Sequence, residues 1–241
     1  MKRSTLFSLL TIVVLIPATL YLGTRLTGRW YYLTSTLIIM ETMLPFFLSF
    51  ESRRPQAREL VTLAVMAALA VAGRVAIPIP NFKAITGIIM ITGIAFGPQA
   101  GFMTGAVAAF ASNFFYSQGP WTPWQMMAYG MGGFLAGLLF HKKNAQLRQN
   151  RLHYTVTLAV FGFAAIVAFV GPLLDSCTIF TTVSEVTLSY ALTILASGLP
   201  YNVIHGLSCA VTLLVLSGPL LDKLERLKTK YGMMEGGSDG I

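Results

Sequence analysis

Apolar runs long enough to cross a bilayer recur along this chain, from Leu6–Leu22 near its start to Thr187–Leu216 near its end. Few folds can absorb them. A backbone in lipid must satisfy its own hydrogen bonds, so only helices and closed barrels span membranes. Runs of roughly 18 residues have helix length, whereas barrel strands are about half as long and alternate. Hydrophobic residues make up 55% of the 241 and charged residues only 11%, against roughly 25% charged in a soluble domain. The expected class is an all-α integral membrane protein with about eight transmembrane helices. No soluble segment is long enough to own a core.

Two polar linkers, Glu51–Arg58 and His141–His153, divide the spans. We expect two extra N-terminal helices over residues 1–56, a six-helix membrane core over 57–220 and a basic tail over 221–241. Met1-Lys2-Arg3 before the first run mimics a signal peptide. That run is long for one, and no small-x-small cleavage site follows, so it reads as an uncleaved helix. The second helix carries Glu41 near its middle, a costly place for a charge unless it faces protein. Pro78 and Pro80 break the chain after the third helix. Asp175–Glu185, with Cys177, reads as a polar loop. The last apolar segment is too long for a straight crossing, at about 45 Å. Either Gly198 and Pro200 kink it, or its first part lies in the loop region. Glu235–Gly240 reads as disordered. Cys177 and Cys209 have neither disulfide nor metal spacing and read as unpaired thiols.

Charge sets the orientation. An even number of spans puts both termini on one side. That side holds Lys2, Arg3, Arg53, Arg54, Arg58, Lys142, Lys143, Arg148, Arg151, Lys223, Arg226, Lys228 and Lys230. The other holds Arg25, Arg29 and Lys83, with Arg74 near the end of the third helix. Basic residues favour the cytoplasmic face, so a multi-pass plasma-membrane protein with both termini cytoplasmic is expected. The net charge of +8 then reports topology, and no nucleic-acid partner is implied. Three polar, aromatic loops fall outside: Arg74–Lys83, Phe115–Pro123 and Asp175–Glu185.

Several side chains there suit a ligand pocket, each with a plainer reading beside it. Trp121 and Trp124, between two prolines, either stack on a planar ring or anchor at the bilayer surface. Gln125 and Tyr129 follow them in sequence. Lys83, beside Asn81 and Phe82, either meets an anionic or amide-rich substrate or snorkels. Asp175 and Glu185 are pocket acids or solvated ones. Asn202 and His205, three residues apart and so on one helix face, with Tyr201 adjacent, line a pocket or bond between helices. Ala64, Ala68 and Ala72 at i, i+4, i+8 make a small-residue face, and Gly101 and Gly105 make another. Glu41 and Arg74 are a possible pair, although their depths differ by about 10 Å at the helical rise.

These motifs occur in a telling order: Ala64-x-x-x-Ala68-x-x-x-Ala72, then Pro78-x-Pro80-Asn81-Phe82-Lys83 and Phe96-Gly97-Pro98-x-x-Gly101-x-x-x-Gly105-Ala106. Gly119-Pro120-Trp121-Thr122-Pro123-Trp124-Gln125 and Leu199-Pro200-Tyr201-Asn202-x-x-His205-Gly206 follow. Over residues 57–218 the chain resembles the substrate-binding S component of an energy-coupling factor (ECF) vitamin transporter. Such components usually have six helices, so the two at the front are a departure. The resemblance implies capture of a vitamin by the outer loops. It also implies docking on a membrane T subunit through Ala64, Ala68 and Ala72, and import driven by two separate ATPases. No Gly-x-x-x-x-Gly-Lys-Ser/Thr motif is present, so ATP would be used by partners, and no covalently bound cofactor is expected. The two tryptophan- and asparagine-bearing motifs look most similar to S components associated with cobalamin or related corrinoids.

Other classes fit less well. An intramembrane protease or lipid phosphatase needs a nucleophile with a base, or a metal set, at membrane depth. His205 is the one histidine inside a span, and neither His-Glu-x-x-His nor Gly-x-Ser-x-Gly occurs. A secondary transporter would show buried coupling acids and an internal repeat. A non-catalytic scaffold or regulator built on the extra helices would bind no small molecule.

Overall fold

The computed structural model describes residues 7, 10–24, 29–53, 55–144, 150–183 and 186–233. Arg25, Arg54, Arg148, Glu185 and Glu235–Gly240 lie outside the described residues. The described chain is helical between short turns. A π-helical turn, Thr11–Leu15, leads into α1 (Ile16–Thr24), followed by α2 (Arg29–Ser52) and α3 (Ala57–Val75). Then come α4 (Ile85–Phe96), α5 (Pro98–Tyr116) and α6 (Trp121–Phe140). The next rod is α7 (Arg151–Ala165), a π-helical turn at Ile166–Val170, and α8 (Gly171–Thr182). The last helix is α9 (Leu188–Tyr231). Leu33–Ser52, Arg151–Thr182 and Leu188–Tyr231 are each long and apolar enough to cross a membrane. The protein is an integral membrane helical protein.

Packing is organised around α4. All 12 of its residues are buried, and α3, α5, α6 and α9 surround it. At 1.5 Å per residue it is about 18 Å long, too short for a hydrocarbon layer of about 30 Å. Glycines let its neighbours close in. A Cβ on Gly93 would stand 2.1 Å from the Gly133 carbonyl oxygen, and one on Gly101 2.4 Å from the same atom. The α4, α5 and α6 backbones thus touch directly, as small-residue faces in lipid allow.

The N-terminal helices join this core from one side. Phe46 of α2 stacks on Phe102 of α5 at 4.2 Å between centroids and meets Phe134 of α6 edge-on at 5.1 Å. Buried Met43 completes the contact. Glu41 is not paired with Arg74. Its Oε1 accepts from Thr19 Oγ1 at 2.6 Å, which ties α1 to α2, while Arg74 finds its partners on α5. In contrast, Ala64, Ala68 and Ala72 on α3 all face outward, beside exposed Val61 and Val65. The inward face of α3 carries Leu63, Met66, Ala67 and Ala70.

Two expected loops are shorter than their sequences imply. Trp121, Trp124 and Gln125 form the first turn of α6, with Pro120 as its N-cap. Proline is tolerated there because the first-turn N–H groups have no helical acceptor. Asp175 and Cys177 are helical, on α8, and Cys177 is buried. The last apolar segment and the tail as far as Tyr231 are one unbroken helix of 44 residues, with Pro200 and Pro219 inside it.

The basic linkers gather at one end of the bundle. There Arg53 pairs with Glu59 at 3.1 Å, Arg151 with Asp222 at 3.0 Å, and Arg58 donates to the Tyr231 carbonyl at 3.4 Å. The C-terminal carbonyls of α4, which no helical N–H reaches, are also met. His141 Nδ1 lies 2.9 Å from the Ile94 oxygen, and Lys228 Nζ donates to the Ala95 oxygen at 3.1 Å. Burial holds the His141 imidazole below its ordinary pKa, and the nearby Lys228 and Arg53 charges push the same way.

Candidate functional site

The opposite end of the bundle is hollow. A cavity of about 610 Å³ opens between the end of α3, the segment after it, the α5–α6 turn, α8 and α9. Its floor follows from the shortness of α4. Because α4 begins only at Ile85, the chain from Ala76 to Ala84 must descend to meet it. Proline and a left-handed Asn81 (φ 58°) shape this descent, and asparagine is among the few side chains that adopt that backbone readily. Lys83 donates to the Ile77 carbonyl and closes the segment on itself. The α5–α6 turn has a second positive φ, 72° at Ser117. Such strain persists where surrounding contacts enforce it.

Those contacts form a buried polar chain. Arg74 Nη1 donates to Ser112 Oγ and, at 3.0 Å, to Asn113 Oδ1. Asn113 Nδ2 donates to Thr122 Oγ1 at 3.0 Å, and Thr122 Oγ1 donates to Gln118 Oε1 at 2.9 Å. Tyr116 Oη donates to the Arg74 carbonyl at 2.9 Å. The last turn of α3, the end of α5 and the first turn of α6 are thereby held together. This fixes where the tryptophans point.

Ten of the sequence candidates line the cavity: Asn81, Lys83, Trp121, Trp124, Gln125, Tyr129, Asp175, Tyr201, Asn202 and His205. Phe82 does not. The two tryptophans differ in kind. Trp124 is 1% exposed and its Nε1 donates to Ser176 Oγ on α8 at 3.1 Å. Trp121 is 41% exposed, at the rim, with its Nε1 donating to the Ser117 carbonyl at 3.3 Å. Asn202 Nδ2 donates to Asp175 Oδ2 at 2.7 Å across α8 and α9. Each of these side chains rests over a glycine of the other helix. A Cβ on Gly198 would stand 2.2 Å from Asp175 Oδ2, and one on Gly171 2.3 Å from Asn202 Cγ. His205 Nε2 and Thr86 Oγ1 are 3.2 Å apart, and the Tyr129 ring meets the imidazole edge-on at 6.0 Å. Gln125 Oε1 is buried without a protein partner.

Sequence reasoning placed the outer loops at a pocket but did not single out Arg74, Pro78, Pro80, Tyr116, Leu174 or Cys177 as lining residues. One signal was available: a charged residue inside a span is a functional candidate by default, and Arg74 is one. Chemically, the cavity offers flat aromatic walls, amide and carboxylate acceptors, and two cations. Concave, mostly apolar sites with a few convergent polar groups are the usual form of small-molecule sites. Among the described residues no cluster of three or more His, Cys, Asp or Glu side chains could hold a metal.

Comparison with known families agrees with this architecture. The family described as ECF-type riboflavin transporter, S component, matches residues 55–222. No curated protein and no solved structure matches the chain. The match covers most of the chain, from just before α3 to the start of the basic tail, and the chain belongs to this family of ECF transporter S components.

Proposed function

We propose that this S component captures a flavin, with riboflavin the first candidate, in the cavity beneath Trp121 and carries it toward a partner transport module. The single observation behind the reading is a cavity of about 610 Å³ with Trp121, Trp124, Tyr116 and Tyr129 around it and Gln125, Asp175, Asn202 and His205 as polar groups. A planar ring with polar edges suits such a site. Cavities of about 300–1,000 Å³ enclose drug-sized ligands, whereas a corrinoid with its macrocycle and nucleotide loop is far larger. The family name and the volume together favour a flavin over the corrinoid expected from the tryptophan and asparagine motifs. In this reading the cavity lies on the outer face and both termini are cytoplasmic, an orientation supported by the bias of basic residues.

The exposed face of Ala64, Ala68 and Ala72 is where this reading puts the T subunit, with two ATPases using ATP beyond it. The aromatic anchoring of α2 on α5 and α6 leaves that face uncovered. Residues 1–54, ahead of the family match, act as an added hairpin on a 57–220 core.

Purified protein tests the substrate. Denaturation should release a compound with flavin absorbance and mass, and added riboflavin should lose its fluorescence on binding as the ring stacks. Release of a corrinoid, or no quenching by ligand-free protein, would overturn the flavin reading. Docking is tested separately. Ala68→Trp should abolish co-purification of the partner module and uptake while leaving flavin binding intact. Normal uptake by that variant would remove the alanine face from the mechanism.

A further inference from the structure

Arg74 and Lys83 put two cations at one wall of the cavity, and no acid among the described residues pairs with either. Arg74 is buried. Its contacts are Ser112 Oγ, Asn113 Oδ1 and the rings of Tyr116 and Tyr129, 4.8 Å and 5.8 Å from the guanidinium carbon. Lys83 Nζ reaches the Ile77 carbonyl and lies 5.7 Å from the same Tyr116 ring. Every one of these partners is neutral. Among the described residues, no carboxylate lies within ion-pair distance of either cation. Asp175, the one carboxylate among the described residues that line the cavity, is bonded to Asn202 on the wall made by α8 and α9. The other titratable groups of the lining are His205, Tyr116, Tyr129, Tyr201 and Cys177, none of them an acid that is charged at neutral pH.

Neutral oxygens and ring faces meet Arg74, but nothing balances its charge, and a buried cation without a counter-charge keeps capacity for a further acceptor. We propose that the missing partner is the ligand's dicarbonyl edge. The flavin lies with its pyrimidinedione end toward Arg74 and Lys83. Its polyol chain lies toward Asp175 and Asn202, whose remaining oxygens accept from hydroxyl groups. This orientation rests on the flavin reading above and adds to it which end of the ligand each wall recognises.

The imide N–H of the bound ring reports the orientation directly. A positive charge within about 4–6 Å of an acid lowers its pKa by about 1–3 units. The imide of bound flavin should therefore ionise about 1–3 units below the free compound, read from the visible flavin band, where tyrosine does not absorb. Lys83→Gln should reduce the shift and Arg74→Gln should reduce it further. Should Arg74→Gln not fold, the wild-type shift and the Lys83→Gln difference still decide the matter. Bound flavin that ionises at the pH of the free compound overturns the orientation and leaves the flavin reading standing. So does flavin phosphate binding tighter than riboflavin, because the phosphate would then occupy the cation pair. Failure to bind any flavin removes both readings.

Discussion

The two ends of α4 handle positive charge in opposite ways. At the basic end three cations are paired with acids: Arg53 with Glu59, Arg151 with Asp222, and Lys228 with Glu225, Lys228 also reaching the Ala95 carbonyl. The groove at that end, about 520 Å³, is lined by Arg151, Asp222, Glu225, Arg226, Thr229 and Lys230, with both acids among its walls. At the other end Arg74 and Lys83 have only neutral partners, and a cavity opens beside them. Closed electrostatics mark the end that holds the helices together. Open electrostatics mark the end that waits for something to arrive. The same contrast separates the two lateral faces: α2 is sealed on α5 by stacked phenylalanines, while the alanine face of α3 is bare.

The largest predicted effect removes the comparison altogether. Gly93→Val places a side chain 2.1 Å from the Gly133 carbonyl, in a crossing both ends depend on. Overpacking costs about 1–3 kcal/mol even where side chains can move, and here the obstacle is backbone, so no monodisperse protein should be recovered in detergent. Trp124→Ala comes next. It should destabilise the fold by about 3–5 kcal/mol and abolish flavin quenching, whereas Trp124→Phe should keep most of the thermal stability. Trp121→Ala separates the site from the scaffold. At the rim it should cost about 0.5–1.5 kcal/mol of binding with an unchanged melting temperature. A large drop in melting temperature would make Trp121 a structural anchor.

The smallest effects belong to the basic end. Lys228→Ala should lower stability by about 0.3–1 kcal/mol, the usual contribution of a cation at a helix C-terminus, and leave flavin affinity unchanged. A change in affinity would show the two ends to be coupled. His141 gives the pH dependence. Its folded pKa is depressed below the ordinary value of 6.5, so its neutral form belongs to the folded state. Stability from this group is present above about pH 6.5 and is lost as pH falls toward the lower folded pKa, because the unfolded chain binds the proton first. Melting curves at pH 7.5 and 5 should differ more for the wild type than for His141→Gln.

Helix positions were legible in the sequence because hydropathy and the Gly97-Pro98 and Arg53-Arg54-Pro55 breaks leave little choice. The candidate lining was legible as far as local pattern reached. Trp121, Gln125, Asn202 and His205 are conspicuous polar or aromatic groups beside apolar runs. The errors have physical causes. Two prolines around Trp121 looked like a loop, yet a first helical turn accepts them. Asp175 and Ser176 looked like a loop, yet their polar atoms are bonded to Asn202 and Trp124, which lets the helix run on to Thr182. The Arg74 chain was illegible because its partners, Ser112 and Asn113, lie a whole helix away in sequence, and no periodicity announces them.

The burial of α4 also bears on the membrane the protein can inhabit. A helix that touches lipid must tilt or stretch the bilayer when lengths disagree, at a fraction of a kcal/mol per Å. α4 has no exposed residue through which to feel that mismatch. The depth of the cavity floor is therefore set by protein contacts alone. Riboflavin affinity should hold constant across bilayers of short and long acyl chains, even where the outer helices tilt to fit them.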